Sequence, residues 1–478
     1  MAASPSTEAG RETSSDPTHV VGGSALLTPG QRRGTRSNTP AASRQAKRRL
    51  GRIVVGSLAG GLLAAAALAA LPFIPAEPSE LTGAVLCGFA LGWAMLATLT
   101  SRFGQPQRWA RVPALVMGLS GLALVMFGSS ADDALSWVWP PTALALAVWM
   151  VSRIRRDMAS RLGRWLLYPT VALLGVVSLG AGTEMVLSAA SPQQSMPGRL
   201  VDVGGHRLHL NCTGSGSPTV VLEPGAGMSS PTLGWIAPAV ARETRVCVYD
   251  RAGRGWSDPT NTTQDAEQVA TDLHALLHRA GELGPYVLAG HSFGGLYTLT
   301  YAAQYPTDVA GMVLIDSTAP TTGSNQPITP RSYDPMDRVS ALLSQTARFG
   351  VMRLLVSASG ATLPPASENA ERASVATSQH LRSTIDEYRQ GGASAEEAAA
   401  LTSLDTKPLY VLTAGEGSRP GWMSKQNRLA ALSTNSAHHV VSGAAHVDLV
   451  IDQRAAVATS RAVLAVVASA RTGTPLEK

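Results

Sequence analysis

Aromatic residues and cysteines are scarce in this 478-residue chain. Aromatic side chains make up 5% of the residues, and the three cysteines are Cys87, Cys212 and Cys247. Three cysteines are too few for the disulfide scaffold of a small secreted domain, and none has metal-ligand spacing with a histidine. The sequence therefore does not support a disulfide-stabilised miniature fold, and we expect no metal site.

Most of the chain carries no net charge. The formal net charge is +6, but residues 1–52 hold nine Lys or Arg against three Asp or Glu, so the rest of the chain is neutral. A nucleic-acid-binding domain is expected to carry a basic face on the folded domain itself. Nucleic acid is therefore not expected as a partner. Segment 1–52 is rich in small and polar residues without apolar periodicity, so we expect a disordered tail.

Charged residues are almost absent from five long runs between residues 53 and 190. The first run holds 22 residues without a charge, enough to cross a bilayer core of about 30 Å. The third and fourth runs are weaker and could form one re-entrant hairpin, which would leave three spans. Either reading predicts an all-α transmembrane region. The runs cover Ile53–Ile74, Leu81–Thr100, Val112–Phe127, Leu135–Val151 and Trp165–Ala190.

The charges that flank these runs predict the orientation of the region. Basic residues cluster before the first run and in every second loop, whereas the other loops carry acidic residues alone. The positive-inside rule places basic loops in the cytoplasm. An odd number of spans then places residue 191 and everything after it outside the cytoplasm. The basic residues are Arg44, Lys47, Arg48, Arg49, Arg52, Arg102, Arg108, Arg111, Arg153, Arg155, Arg156, Arg161 and Arg164; the acidic ones are Glu77, Glu80, Asp132 and Asp133.

Beyond a linker at residues 191–197, segment 198–470 alternates short apolar strands with helical stretches. Such alternation indicates an α/β fold with a mostly parallel sheet covered on both faces. Residues 319–406 interrupt it with polar, helix-rich sequence, and we expect them to form a cap over one edge. The predicted strands are Leu200–Val203, Arg207–Asn211, Thr219–Glu223, Arg245–Tyr249, Tyr286–Ala289, Met312–Ile315, Leu409–Thr413 and His439–Ser442; two predicted helices are Asp265–Ala280 and Leu296–Gln304.

The strongest chemical signal is a Gly-x-Ser-x-Gly motif centred on Ser292. It follows an apolar strand and precedes a helix, and Gly290 and Gly294 flank the serine. A sharp strand-to-helix turn leaves little room for side chains at those two positions and pushes the serine hydroxyl out above the sheet. The motif in this setting predicts Ser292 as a nucleophile, against the alternative of an ordinary structural turn.

A serine nucleophile needs a base and an oxyanion hole. His446 stands in a loop between the last strand and a terminal helix, where the base of such an enzyme is expected; a structural role is the alternative. The backbone N–H of Phe293, directly after the nucleophile, is one expected oxyanion donor. Ala226, in the small-residue loop after Thr219–Glu223, is the other, with Gly225 as the fallback.

Segment 198–470 resembles the α/β-hydrolase superfamily, in particular its esterase and peptidase-like branch. The resemblance is carried by Leu222-Glu-Pro-Gly-Ala-Gly, by Asp250-Arg-Ala-Gly-Arg-Gly-Trp-Ser, by Gly290-His-Ser-Phe-Gly-Gly and by Gly443-Ala-Ala-His. It implies that Asp250 and Arg251 brace the nucleophile turn. This chain departs from the family where the oxyanion loop begins Pro224-Gly225 instead of His-Gly. The histidine side chain of the family is therefore missing here, but the backbone N–H donor remains. Residues 1–190 show no such resemblance.

The resemblance also implies an acid and a disulfide. The triad acid usually follows the seventh strand, where Glu416 is the one candidate, but related enzymes place it after the sixth strand, where Asp316 stands. We favour Asp316, since the shorter side chain orients an imidazole more rigidly. In this fold the second and fourth strands are neighbours, so Cys212 and Cys247 could form a disulfide in an oxidising compartment, or remain buried thiols.

These features predict a membrane-anchored serine hydrolase that acts outside the cytoplasm. An ester or other acyl compound is the expected substrate, acyl transfer the expected chemistry, and no cofactor is implied. A peptidase or amidase of the same fold and a catalytically idle extracytoplasmic binding module are the alternatives. A transporter or sensor built from the spans is a further one, but Glu184 alone is too little for an intramembrane relay.

Overall fold

The computed structural model shows a helical amino-terminal region followed by an α/β domain. The residues from Lys47 onward form one compact unit. Most of the expected tail, most of the linker, and two stretches of the cap lie outside the described residues. The structure describes residues 40–190, 196–260, 262–321, 335–350, 362–418 and 420–477.

Four long helices form the amino-terminal region, and one of them is broken in the middle. Gly128 has a φ of 52° and non-helical geometry, which glycine adopts without steric cost. Met117 and Met150, from the two halves of that helix, lie in one buried apolar cluster. The halves thus count as separate segments, and five segments of the described residues are long and apolar enough to cross a membrane. The helices are α1 (Pro40–Ala69), α2 (Pro78–Arg102), α3 (Arg111–Asp157) and α4 (Arg161–Ala190).

The first helix begins earlier than the composition predicts. Disorder was expected up to residue 52, but α1 starts at Pro40 and continues without interruption into the first apolar run. A proline suits the first turn of a helix, where its missing N–H would have no partner. The Ala, Arg, Gln and Lys residues that follow are good helix formers. The expectation of disorder is therefore wrong for Pro40–Arg52, while residues 1–39 lie outside the described residues.

A single eight-stranded sheet organises the α/β domain. The strand order is β1-β2-β4-β3-β5-β6-β7-β8, with β1–β2 and β2–β4 antiparallel and all other pairs parallel. The carboxyl ends of the parallel strands therefore meet at one edge. The strands are β1 (Arg199–Asp202), β2 (Arg207–Thr213), β3 (Thr219–Glu223), β4 (Val246–Tyr249), β5 (Tyr286–His291), β6 (Val309–Ile315), β7 (Leu409–Ala414) and β8 (Ser436–Val441).

Helices cover both faces of the sheet and divide its core into two apolar clusters. Leu276 and Leu299 lie in the cluster on one face, and Ile236 and Val463 in the cluster on the other. The strands read as nearly continuous apolar runs because both of their faces are buried. The helices are α5 (Ile236–Val240), α6 (Ala266–Ala280), α7 (Gly294–Gln304), α11 (Trp422–Ala430), α12 (Asp448–Ile451) and α13 (Gln453–Thr472).

The described part of the segment between β6 and β7 is helical. It lies over the carboxyl edge of the sheet, where its side chains reach the loop after β3. Its helices are α8 (Pro335–Ser344), α9 (Pro365–Val375) and α10 (Ser378–Glu397), with short 3-10 turns at Gln345–Phe349 and Ala398–Ala400.

The structure differs from the predicted strands most at the sixth and at the last: β6 begins at Val309, three residues before the predicted Met312. The prediction began the last strand at His439, whereas β8 starts at Ser436 and holds His438 and His439 in its middle. Its first residues, Ser436 and Ala437, carry no apolar signal, and pairing with β7 decides their conformation. Elsewhere Cys212 and Cys247 are direct partners in the β2–β4 pair, and a disulfide joins them.

Candidate active site

Ser292 lies on a tight turn between β5 and α7. Its φ is 54°, in the left-handed region that an ordinary residue adopts only when its surroundings hold it there. The Ser292 N–H donates to Ile315 O at 3.1 Å, and the Ser292 carbonyl accepts from Thr318 N–H at 3.0 Å. The neighbouring strand β6 and the residues after it thus fix the strained turn from one side.

The glycines around Ser292 are required by close backbone contacts. A Cβ added at Gly290 would lie 2.4 Å from Gly294 O, and one at Gly294 would lie 2.5 Å from Glu223 O. A Cβ at Gly295 would collide with Ser317 at 2.3 Å. The turn is therefore wedged between the end of β3 and the end of β6, and this packing leaves room for glycine alone.

His446 stands beside the same edge of the sheet and contacts Asp316. Its Nδ1 donates a hydrogen bond of 2.6 Å to Asp316 Oδ2. The aspartate side chain is 3% exposed and the histidine side chain 40%, so the ring bridges a buried carboxylate and the open side of the site. This contact leaves the other ring nitrogen, Nε2, for a second partner.

Asp316 is held in place by the neighbouring strand. It follows β6 with a φ of 42°, and its Oδ1 accepts hydrogen bonds from Ala414 N–H at 3.2 Å and from Trp422 Nε1 at 2.7 Å. The turn at the end of β6 therefore carries the side chain across the end of β7. Glu416, the competing candidate, lies in the loop after β7 with an exposed side chain, and the ring of His446 is bonded to Asp316 instead.

The loop after β3 approaches Ser292 directly. A Cβ added at Gly225 would lie 3.1 Å from Ser292 Cβ and 2.7 Å from a ring nitrogen of His291. The Gly227 N–H donates to Glu387 Oε2 at 2.9 Å and is therefore not available as an oxyanion donor. Phe293, which precedes the first turn of α7, and Ala226 remain the two backbone positions considered for an oxyanion hole.

A buried ion network supports this loop from behind. Arg251 donates to Pro224 O and to Gly225 O, both at 2.8 Å, and it also pairs with Glu223 and Glu387. Burial alone would raise the pKa of Glu387, but Arg251 and Arg254 hold it below its usual value. Arg251 was expected to brace the nucleophile turn, whereas its hydrogen bonds go mainly to the loop after β3.

Asp250 braces the next part of the same loop. Its carboxylate accepts hydrogen bonds from Ser230 N–H at 2.6 Å, from Trp256 N–H at 3.3 Å and from His209 Nδ1 at 2.8 Å. Burial alone would raise the pKa of Asp250, but the hydrogen bond with His209 and the two backbone donors lower it. A Cβ at Gly255 would lie 2.2 Å from this carboxylate, which explains why the segment after Asp250 contains glycine there.

Glu387 is the site residue that the sequence did not reveal. It lies on α10, is 3% exposed, and accepts hydrogen bonds from Arg251, Arg254, Tyr297 and the Gly227 N–H. No motif surrounds it, and glutamates are common on polar helices. The one available signal was the pair of arginines in the Asp250–Ser257 segment, since arginines buried in a neutral domain require carboxylate partners.

His291, which precedes Ser292, is also buried. Its Nε2 donates to His446 O at 3.0 Å, and the two imidazole rings lie 4.7 Å apart. Burial lowers the pKa of His291 to about 4, and the neighbouring His446 adds to this effect. His291 therefore stays neutral and links the Ser292 turn to the loop that carries His446.

One group of side chains in the described residues has the composition of a metal site. The ligand atoms of Cys212, Cys247 and Glu282 lie within 4.8 Å of one another. Both sulfur atoms are engaged in the disulfide, however, and a disulfide is a poor metal ligand because binding requires the thiolate. Cys212 and Cys247 lie on β2 and β4, whereas Ser292 follows β5.

Comparison of the sequence with known protein families agrees with the fold described above. Residues 218–452 match the family model of the α/β-hydrolase fold. The chain carries an α/β-hydrolase domain. The predicted fold class, a mostly parallel sheet preceded by apolar helices, is thereby confirmed for the described residues.

Two of the relatives that match this domain are named as hydrolases. A 2-(acetamidomethylene)succinate hydrolase of Mesorhizobium japonicum is 31% identical over 120 residues, covering 25% of this chain and 42% of that protein. A 2-hydroxy-6-oxo-2,4-heptadienoate hydrolase of Pseudomonas putida is 31% identical over 121 residues, covering 25% and 44%. The chain thus spans less than half of the length of these curated relatives.

Solved structures resemble the hydrolase domain in fold. A haloalkane dehalogenase from Bradyrhizobium elkani has a TM-score of 0.47 and 20% sequence identity, and the match covers 58% of this chain and 99% of that chain. At that identity and TM-score the likeness carries no information about the activity or the substrate of this chain.

Proposed function

We propose that this protein is a membrane-anchored serine hydrolase that cleaves a carboxylic ester with Ser292, His446 and Asp316. The observation that carries the proposal is the hydrogen bond between His446 Nδ1 and Asp316 Oδ2, at the same sheet edge as the strained Ser292 turn. A carboxylate at Nδ1 holds the imidazole in the tautomer whose Nε2 can accept a proton from a serine hydroxyl.

The proposed reaction proceeds in two acyl-transfer steps. Ser292 Oγ attacks the carbonyl carbon while His446 Nε2 takes the hydroxyl proton and then delivers it to the departing alcohol. The N–H groups of Phe293 and Ala226 stabilise the oxyanion. Water then attacks the acyl-enzyme with the same histidine as base, which releases the carboxylic acid and restores Ser292. A peptidase or amidase would use the same steps with an amine as the leaving group.

Fluorophosphonate labelling of the full chain tests this proposal. We expect the wild type to be labelled and Ser292→Ala to lose both the label and ester hydrolysis, because loss of the nucleophile costs on the order of 10⁶ in kcat. Ser424→Ala, an exposed serine on α11, is the matched control and should keep both. Turnover by Ser292→Ala within tenfold of the wild type would refute the assignment, and an unlabelled, inactive wild type would favour a binding module.

The proposal also places the hydrolase domain outside the cytoplasm. The charge distribution supports this orientation, and so do contacts of the acidic loops: Glu77 pairs with Arg382, and Asp132 pairs with Arg348. Both arginines belong to the cap, so the acidic ends of the spans share a side with the active site. Protease added to intact spheroplasts should release a fragment that contains Ser292. Protection of that fragment until the membrane is lysed would contradict the orientation.

A further inference from the structure

The cap of the hydrolase domain packs against the ends of the apolar helices. Arg338 of α8 donates hydrogen bonds of 2.7 Å to Ala69 O, at the end of α1, and to Ile74 O in the following loop. Ala341 of the same helix lies in one buried cluster with Leu81 and Ala84 from the first turns of α2. Helix α8 therefore lies at the level of the span ends, beside the first two spans.

The turn after α8 reaches further along the spans. A Cβ added at Gly180 of α4 would lie 2.6 Å from Phe349 O, so the turn Gln345–Phe349 touches the α4 backbone at that position. Gly180 lies seven residues before Leu187, where the fifth candidate span ends. At about 1.5 Å per helical residue, this contact is about 10 Å inside the end of the span. The turn thus lies beside the last turns of the fifth candidate span, and its Arg348 pairs with Asp132, where the third candidate span ends.

Helix α8 carries an apolar stripe on its outer side. Met336, Val339 and Leu343 follow one another at helical spacing and are 53%, 43% and 50% exposed, whereas Arg338 and Ala341 on the opposite side are buried. A helix with one apolar exposed face that lies at the level of a membrane surface buries that face among the lipids.

Helix α10 connects α8 to the candidate active site. On one side its Asp386 accepts from Ser340 Oγ of α8 at 2.9 Å, and its Arg389 pairs with Asp337 of α8. On the other side Glu387 accepts from Gly227 N–H of the loop beside Ser292, and the Tyr388 ring lies 5.5 Å from that of Phe293. One helix, about 10 Å across, therefore separates the catalytic residues from the cap helix at the membrane.

We infer that the exposed face of helix α8 is inserted in the outer lipid leaflet, and that the site hydrolyses acyl esters carried by lipids of that leaflet. The inference rests on the proposed function and assigns its substrate class. Water cleaves the bond between the acyl carbon and the ester oxygen, and the products are a fatty acid and the lipid alcohol. An acyl chain that leaves the bilayer beside α8 needs to pass little water to reach a site so close to the membrane.

The test uses the full chain in vesicles of phosphatidylethanolamine and phosphatidylglycerol with two esters that share one leaving group. Para-nitrophenyl palmitate resides in the bilayer, and para-nitrophenyl acetate dissolves in water. We expect turnover of the palmitate to fall in proportion when added lipid dilutes it within the bilayer at constant bulk concentration, and turnover of the acetate to stay constant. This measurement depends on no variant.

Charged residues placed in the apolar stripe of α8 should lower the turnover of the palmitate ester and leave that of the acetate ester unchanged. The double variant Val339→Glu/Leu343→Glu should lower palmitate turnover by about tenfold or more, since two apolar side chains lose their lipid contact. Acetate turnover and fluorophosphonate labelling should stay within about twofold, which also reports that the variant is folded. Leu283→Glu, at an 82% exposed position before β5, is the control and should change neither turnover.

The outcomes distinguish this inference from the function on which it rests. Suppose that acetate hydrolysis depends on Ser292 but palmitate turnover does not change when lipid dilutes the palmitate. This result would refute the lipid substrate and would still support the proposed serine hydrolase. An equal loss of both activities in the double variant would refute the specific role of the stripe. A wild type that hydrolyses neither ester and takes no label would refute both.

Discussion

Trp422 donates its indole hydrogen to Asp316 Oδ1 at 2.7 Å, the carboxylate oxygen that His446 does not contact. Asp316 lies at the end of β6 and Trp422 at the start of α11, beyond β7. The carboxylate is thus fixed from two sides, by α11 and by the ring of His446. A rigid, buried carboxylate with one oxygen on Nδ1 is the arrangement that orients a catalytic imidazole.

The triad acid can be identified by a pair of amide substitutions. Asp316→Asn should lower kcat by roughly 10⁴, because an amide at this position favours the wrong tautomer of His446. Glu416→Gln is the matched control at an exposed position and should leave kcat within about twofold. Steady-state hydrolysis of a soluble ester measures both. An inactive Glu416→Gln together with an active Asp316→Asn would reverse the assignment.

Glu387 is expected to position the oxyanion loop from the cap. Glu387→Gln should lower kcat by at least about tenfold with KM within about twofold, because a misplaced loop weakens contacts made in the transition state. Glu368→Gln, which alters the partly exposed cap pair with Arg372, is the control and should leave both constants unchanged. A parallel loss of kcat in both variants would indicate general damage to the cap instead.

The disulfide between Cys212 and Cys247 should be present in exported protein. It closes a loop of 35 residues, for which chain-entropy estimates give about 3–4 kcal/mol of stabilisation. Mass spectrometry of non-reduced peptides should find the two cysteines linked, and the variant Cys212→Ser/Cys247→Ser should melt at a lower temperature. Cys87→Ser, at the remaining thiol, is the control. Free thiols at both positions would contradict the prediction.

His291 should contribute to loss of stability in acid. Burial lowers its pKa from 6.5 to about 4 in the folded protein, so the unfolded chain binds a proton in that window while the folded chain does not. The folded state therefore loses up to about 3 kcal/mol from this residue as the pH falls from 6.5 to about 4, and the loss levels off below.

Melting temperatures of the wild type and His291→Gln across this pH range measure that contribution. The glutamine can keep a hydrogen bond to His446 O but takes no proton. We expect the stability of the wild type relative to the variant to decline toward acid pH. A difference between the two that stays constant with pH would assign the acid sensitivity to other groups.

The sequence by itself determined the local features of this protein. Apolar runs identify the candidate spans because a bilayer demands about 20 apolar residues in a row, and alternating strands and helices identify the α/β domain. The turn at Ser292 is likewise readable, since glycines at fixed spacing mark a backbone with no room for side chains. The start of α1 and the first residues of β8 were misplaced because weakly apolar sequence carries little periodic signal.

Tertiary structure alone decided which distant residues meet. Asp316 reaches His446 across 130 positions because β6, β7 and the loop after β8 end at one sheet edge. Glu387 acquired its role by burial beside two arginines, and Met336, Val339 and Leu343 became a surface stripe by the docking of α8 on the spans. A carboxylate or a leucine looks the same in sequence wherever it lies. Its neighbours in the fold decide whether a carboxylate is charged, which groups each side chain contacts, and whether it is buried or exposed.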